Sequence, residues 1–181
     1  MKQALIFWFT GLSGSGKTTV ATGVKPLLET DGYSVLVLDG DTVRAQLHSH
    51  LGFTEQDIKE NNDLIADLCR TYRDDYDVIL VAIISPYASA RKQARDFLGK
   101  GFYEIYFSAD LETLIKRDVK ELYSKAQRNE IPNLIGYSPG TVYEEPRSPD
   151  FTVDSVKSSA EISINDLYKF IIERLSGYEG K

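Results

Sequence analysis

Cysteine is nearly missing from this chain. Cys69 stands alone in 181 residues, which excludes an internal disulfide and any zinc site built from several thiolates. A single thiol suits a reducing compartment. A basic surplus is lacking too: 21 Lys and Arg face 27 Asp and Glu, for a formal charge of −6. A duplex-binding protein ordinarily has its excess on the basic side, so that class is disfavoured, whereas a small anion can still find a local basic pocket. Long apolar runs are also absent. The longest, Val78 to Ile84, falls far short of the roughly 20 residues of a membrane helix. The opening Met-Lys-Gln and the short run after it lack the small-residue cleavage site of a signal peptide. Two histidines, His48 and His50, in an expected loop are too few for a metal site. What remains is ordinary: 42% apolar and 27% charged residues are globular values. The expectation is a cytoplasmic chain with one domain over residues 1–181, without nucleic-acid or membrane partners.

Apolar runs alternate with helical periodicity. Ala4 to Thr10, Ser34 to Leu38, Val78 to Ile84 and Tyr103 to Phe107 read as buried strands, and Phe151 to Val153 as a short fifth. Lys17 to Thr30, Ala88 to Leu98 and Ala160 to Leu175 read as helices. Residues 42–73 read as mainly helical, with a break at Leu51-Gly52-Phe53. Thr54 and Asp57 form a near capping box after that break. A helix capped by Asp110 is expected to run to about Asn129. Ile131 to Pro149 has no periodicity and is rich in Pro and Gly, the length and character of a functional loop. Strands alternating with helices predict an α/β fold around a mostly parallel five-stranded sheet, with helices on both faces.

Gly11-Leu12-Ser13-Gly14-Ser15-Gly16-Lys17-Thr18 matches G-x-x-x-x-G-K-[ST] in full, between a predicted strand and a predicted helix. Glycines let successive N–H groups turn inward on phosphate oxygens, and the helix N-terminus adds a favourable field. This loop, with Thr19 behind it, predicts an ATP site in which Lys17 reaches the β- and γ-phosphates and Thr18 holds Mg²⁺. The motif does not separate a kinase from an ATPase or from a regulatory module that binds ATP.

Asp39-Gly40-Asp41 and Arg44 follow the second strand, at the sheet end where ligands bind in open α/β folds. Two carboxylates there can orient a metal or take a proton from an attacking hydroxyl, and Arg44 can hold an anion. Equally, they can be a capping turn and a surface arginine. Lys116, Arg117, Lys120, Lys125 and Arg128 crowd one stretch beside the Pro/Gly-rich loop. Such a stretch suits a basic cover over phosphates, or, for Lys125 and Arg128, a solvated face. Phe53 on its own could be core, as an isolated Phe usually is, Cys69 reads as core, and Tyr72 and Tyr76 as packing.

Five motifs in order and near spacing resemble the adenylylsulfate (APS) kinase family over nearly the whole chain. They are the phosphate loop, Leu38-Asp-Gly-Asp-x-Val-Arg44, Leu51-Gly-Phe53 with Asn61, Ile84-Ser-Pro-Tyr87, and Arg117-Asp-Val-Lys-x-Leu-Tyr123. The resemblance implies a P-loop kinase fold with a lid over about 116–150, and transfer of the ATP γ-phosphate to the ribose 3′-hydroxyl of adenylyl sulfate, giving PAPS. It places Asp41 nearest that hydroxyl, Arg44 and Asn61 at the acceptor's anionic group and sugar, Phe53 on its base, and Lys120 in the lid. Asp39 joins the substrate-binding set. Ser85 is labelled in the family as a phosphorylated intermediate. As a hydroxyl at a strand end it can equally bind a phosphate or cap a helix, and in-line transfer needs no covalent step. The partner implied is a small nucleotide, with a homodimer left open. Two positions depart from the family: Ile58 stands where an arginine helps hold the phosphosulfate, and Leu134 where an aromatic covers the base. These substitutions keep open the same reaction on a cytidine nucleotide such as cytidine diphosphoramidate.

Overall fold

The computed structural model describes residues 3–47 and 50–179, so His48 lies outside the described residues. Five parallel strands, β1 (Leu5–Thr10), β2 (Val35–Asp39), β3 (Val78–Ala82), β4 (Phe102–Ser108) and β5 (Phe151–Asp154), form one sheet in the order β2-β3-β1-β4-β5. Strand β1 is buried at every position because the sheet is covered on both faces, and its side chains alternate between them. Leu5, Phe7 and Phe9 pack with Val20, Val24 and Leu28 of α1 (Lys17–Thr30) and Leu167, Ile171 and Leu175 of the last helix (Ala160–Glu179). Ala4, Ile6 and Trp8 face the opposite way, onto Ile65, Ala66 and Cys69 of α3 (Glu55–Tyr72) and Ala94 and Leu98 of α4 (Ala88–Leu98). Burial pushes the Cys69 thiol up to about 12, which leaves it an inert core residue. Tyr72 and Tyr76 pack edge to face at 6.4 Å.

The break in residues 42–73 is real. Helix α2 (Gly40–Gln46) precedes it, and α3 starts on the complete Thr54–Asp57 capping box. One expected helix is corrected. The stretch after Asp110 is two short helices, α5 (Leu111–Arg117) and α6 (Leu122–Gln127). Between them the backbone is left-handed at Asp118 (φ 28) and Glu121 (φ 54). The Asp118 carboxylate accepts from the N–H groups of Tyr123 and Ser124, at 3.0 and 2.8 Å, so a side chain replaces the carbonyls of a continuous helix. The closing helix, α7 (Ala160–Glu179), runs past its expected end at Leu175. Among the described residues, no helix is long and apolar enough to cross a membrane.

Candidate active site

Strands β1, β2 and β3 end side by side, and a cleft of about 830 Å³ opens beyond them. The phosphate loop forms one wall. Gly16, just before α1, has φ 90, a conformation in which a side chain would be strained. Lys17 curls back so that Nζ donates to the Gly11 and Leu12 carbonyls, both at 2.8 Å, and to Ser15 Oγ at 3.2 Å. Burial, then the neighbouring Lys120 ammonium, pushes Lys17 down to about 7 against the pull of Asp41 and Asp39. Ser13 to Thr19 line the cleft. Gly11 and Leu12 do not; they serve the loop through the carbonyls that hold Lys17.

Asp39 caps α2 by accepting from the Thr42 N–H, and its other oxygen accepts from Thr18 Oγ1 at 2.7 Å. Partial burial would raise this carboxyl, but the bonds from Thr18 and Thr42 outweigh it and hold it below the ordinary aspartate value. A hydroxyl and an ionised carboxylate at the phosphate loop are a hard-oxygen pair that suits a divalent cation sharing its shell with phosphates and water. Asp41, in the first turn of α2, keeps a side chain 82% exposed at the cleft. Lys120 Nζ reaches its Oδ2 at 2.7 Å. That bond raises the Lys120 ammonium above its ordinary value, against partial burial.

Asn61, Ile58 and Phe53 line the same cleft with Arg44. Phe53 is 56% exposed, so it is no core residue, and its ring lies 4.6 Å from the Arg44 guanidinium carbon. Arg44 itself is partly committed: NH1 donates to the Leu51 and Gly52 carbonyls, at 3.0 and 2.7 Å. It therefore also holds the turn that presents Phe53. Lys59, beside Ile58, offers no replacement cation. It bonds Glu55 at 2.5 Å and sits over the Tyr87 ring. Leu134 and Ile135 close the far wall, from the segment expected as a lid.

Ser85 lies at the cleft floor, 2% exposed, with φ 44. Its hydroxyl donates to Asn62 Oδ1 at 2.5 Å and accepts from Trp8 Nε1 at 3.1 Å. Its carbonyl accepts from Thr10 Oγ1 and Arg91. It does not cap α4, whose N-cap position is Tyr87. Asn62, Arg91 and Ser155 were not evident from the sequence as site residues. A signal existed for two of them. Asn62 interrupts the apolar stripe Ile58, Ile65, Ala66, Cys69 on α3, and Arg91 stands among Ala90, Ala94 and Leu98 on the buried face of α4. Ser155 carries no such mark.

Phosphate loop, basic cover and a second polar wall around one cleft at the strand ends define a P-loop kinase for small molecules. The family model for adenylylsulphate kinase matches residues 3–154, and the chain belongs to that family. The adenylyl-sulfate kinase of Halothermothrix orenii is 43% identical over 176 residues, covering 96% of this chain and 92% of that protein. The probable adenylyl-sulfate kinase of Bacillus subtilis is 40% identical over 175 residues, covering 96% and 88%. Among solved structures, the APS kinase of Mycobacterium tuberculosis in complex with AMPPNP and APS superposes with a TM-score of 0.86 at 34% identity, covering 97% of this chain and 99% of that one.

Proposed function

We propose that this chain transfers the γ-phosphate of ATP to the ribose 3′-hydroxyl of adenylyl sulfate, giving PAPS and ADP. The observation that carries the reading is the common cleft: the phosphate loop on one side, Asp41, Arg44, Phe53 and Asn61 on the other. Donor and acceptor bound there would meet without bulk water between them, which is most of what phosphoryl transfer requires.

Asp41 is the group that orients the acceptor hydroxyl and takes its proton as the new O–P bond forms. As that bond forms, the bond from the γ-phosphorus to the β,γ-bridging oxygen breaks, and ADP leaves with its electron pair. Lys17 and Lys120 counter the charge that builds on the transferred group and on the leaving oxygen. Lys120 belongs to a lid over about 116–150, and its bond to Asp41 spans the cleft where substrate would enter. Phe53 offers a ring for the base to stack on, and Arg44 and Asn61 offer donors to the acceptor's anion and sugar. Thr18 and Asp39 would hold Mg²⁺, whose charge would help to neutralise the phosphates. Ser85 supports the cleft floor.

The test is acceptor-dependent ADP release by purified protein with Mg·ATP. Turnover with APS, and none with cytidine diphosphoramidate, is the expected result. Turnover with the cytidine acceptor alone would overturn the choice of nucleotide. ADP release indifferent to any acceptor would return the chain to a slow ATP-hydrolysing module.

A further inference from the structure

A loop that turns its N–H groups inward on phosphate must turn its carbonyls outward, and buried carbonyls need partners. Here each of four has one. Gly11 and Leu12 are taken by Lys17, and Ser15 by Ser155 Oγ at 2.8 Å. Ser13 accepts from Tyr123 Oη at 2.9 Å, across 110 residues of sequence. Tyr123 is the second residue of α6, 3% exposed. Its ring meets Tyr137 edge to face at 5.5 Å and packs in a small core with Leu114 and Leu134. That core is separate from the two that hold the sheet.

The turn just before α6 carries Lys120. Asp118 and Glu121 are both left-handed, a costly backbone for residues with a Cβ, kept only where the surroundings over-determine it. Asp118 ties the turn to Tyr123 and Ser124 through their N–H groups. On the other side, Arg117 donates to the carbonyl of Ser155, at 2.6 Å, the residue whose hydroxyl holds Ser15. The Lys120 turn is thus bracketed by two links to the phosphate loop, one direct and one relayed.

We propose that Tyr123 is a positioning residue for phosphoryl transfer: its hydroxyl, on the Ser13 carbonyl, registers the Lys120 turn against the phosphate loop. Tyr123 does not line the cleft. It acts through Lys120, so the inference rests on the donor-site reading above and deepens it. The physical content is distance. Lys120 is three residues from the tether, and without it the register of α6 against the phosphate loop rests on apolar packing and the relayed Arg117–Ser155 link, of which the packing resists sliding less than a directed bond does.

Thermodynamic coupling tests this. Mg·AMPPNP affinity is measured by calorimetry for wild type, Tyr123→Phe, Lys120→Ala and the double variant, with APS kinetics alongside. Tyr123→Phe keeps the ring and is expected to weaken AMPPNP by about three- to tenfold and to lower kcat at saturating ATP. In the Lys120→Ala background the same change is expected to cost less than about twofold. Asp118→Ala, which frees the turn from α6, should show the same non-additivity. Equal losses in both backgrounds, or none in either, would overturn the proposal and leave Tyr123 a packing residue. The nucleotide arm needs no acceptor. A wild type that binds AMPPNP but ignores APS sinks the acceptor reading and still decides the tether, and one that binds no AMPPNP overturns both.

Discussion

Lys17 offers a prediction with two opposite signs. In the free protein its ammonium is buried, and burial holds it at about 7 against an ordinary 10.5. Phosphates arriving at the loop bring negative charge, which raises it again. Nucleotide affinity is therefore full below pH 7 and falls as pH climbs above it, because binding must first recover a proton. If the neutral amine held no phosphate, the loss between pH 7 and pH 9 would reach about 50-fold; hydrogen bonds from the amine reduce it, to no less than about fivefold. Stability of the free protein moves the other way. Between about 7 and 10.5 the unfolded chain binds a proton at Lys17 that the folded chain lacks, so this group's contribution to stability rises with pH across that window. Calorimetry with Mg·AMPPNP in two buffers of different ionisation heat measures the proton directly: uptake close to one at about pH 8 is expected. Lys17→Met is the control, expected to bind weakly and to take up none. A flat affinity from pH 7 to pH 9 with no proton uptake would refute the reasoning and return Lys17 to an ordinary ammonium held by three acceptors.

Asp41→Asn should lower kcat with APS by about 10²–10⁴-fold while leaving AMPPNP affinity nearly unchanged; a loss confined to nucleotide affinity would make Asp41 a metal-site residue. Its melting temperature should stay within about 4 °C of wild type, because an exposed ion pair such as Asp41–Lys120 adds little. Gly136→Ala forces a side chain onto a residue at φ 75, with its Cβ 2.4 Å from Leu12 Cδ2; a destabilisation of about 1–3 kcal/mol and a higher KM for ATP are expected, and unchanged thermal melting and KM would show that this packing is dispensable. Ile58→Arg puts a guanidinium in a cleft wall that Lys59 does not serve, and kcat/KM for APS should rise about tenfold. An unchanged or lower value would mean that the acceptor's anion is held elsewhere.

The donor half of the site was legible because its chemistry is local. A phosphate loop is eight consecutive residues whose conformation follows from their glycines, and the strand before it and helix after it announce themselves by period. Both faces of the sheet, the α3 capping box and the break before it could be read the same way. The 110–129 stretch could not. Its helical composition is genuine, but Asp118 can spend its carboxylate on the N–H groups of Tyr123 and Ser124, and no pattern says which of two satisfied arrangements wins. The role of Arg44 was half visible. Its charge pointed to an anion, whereas its bonds to the Leu51 and Gly52 carbonyls depend on a turn that only the folded chain brings within reach. Phe53 shows the limit of residue type as a guide: an isolated phenylalanine is usually core, and it was the family resemblance that put this one at the acceptor, whereas the folded chain exposes it at the cleft, stacked on that same arginine.

Ser85 shows why position at a strand end does not settle chemical role. A serine becomes a nucleophile when a base stands ready for its proton. The proton of Ser85 goes to the amide oxygen of Asn62, which is no base, and one of the oxygen's two lone pairs accepts from Trp8. Asn62 cannot simply turn away, since its amide nitrogen is spent on the Ile58 carbonyl at 2.7 Å. Attaching a phosphoryl group to this oxygen would remove the proton that bonds Asn62 and place a doubly charged group on a residue 2% exposed to solvent. Asp41, by contrast, is an open carboxylate at the cleft, with a lysine beside it that incoming phosphates can draw away. Direct transfer to a hydroxyl oriented by Asp41 asks nothing of Ser85 except that it hold the cleft floor in its left-handed turn. The surrounding bonds from Trp8, Thr10 and Arg91 are those such a turn requires.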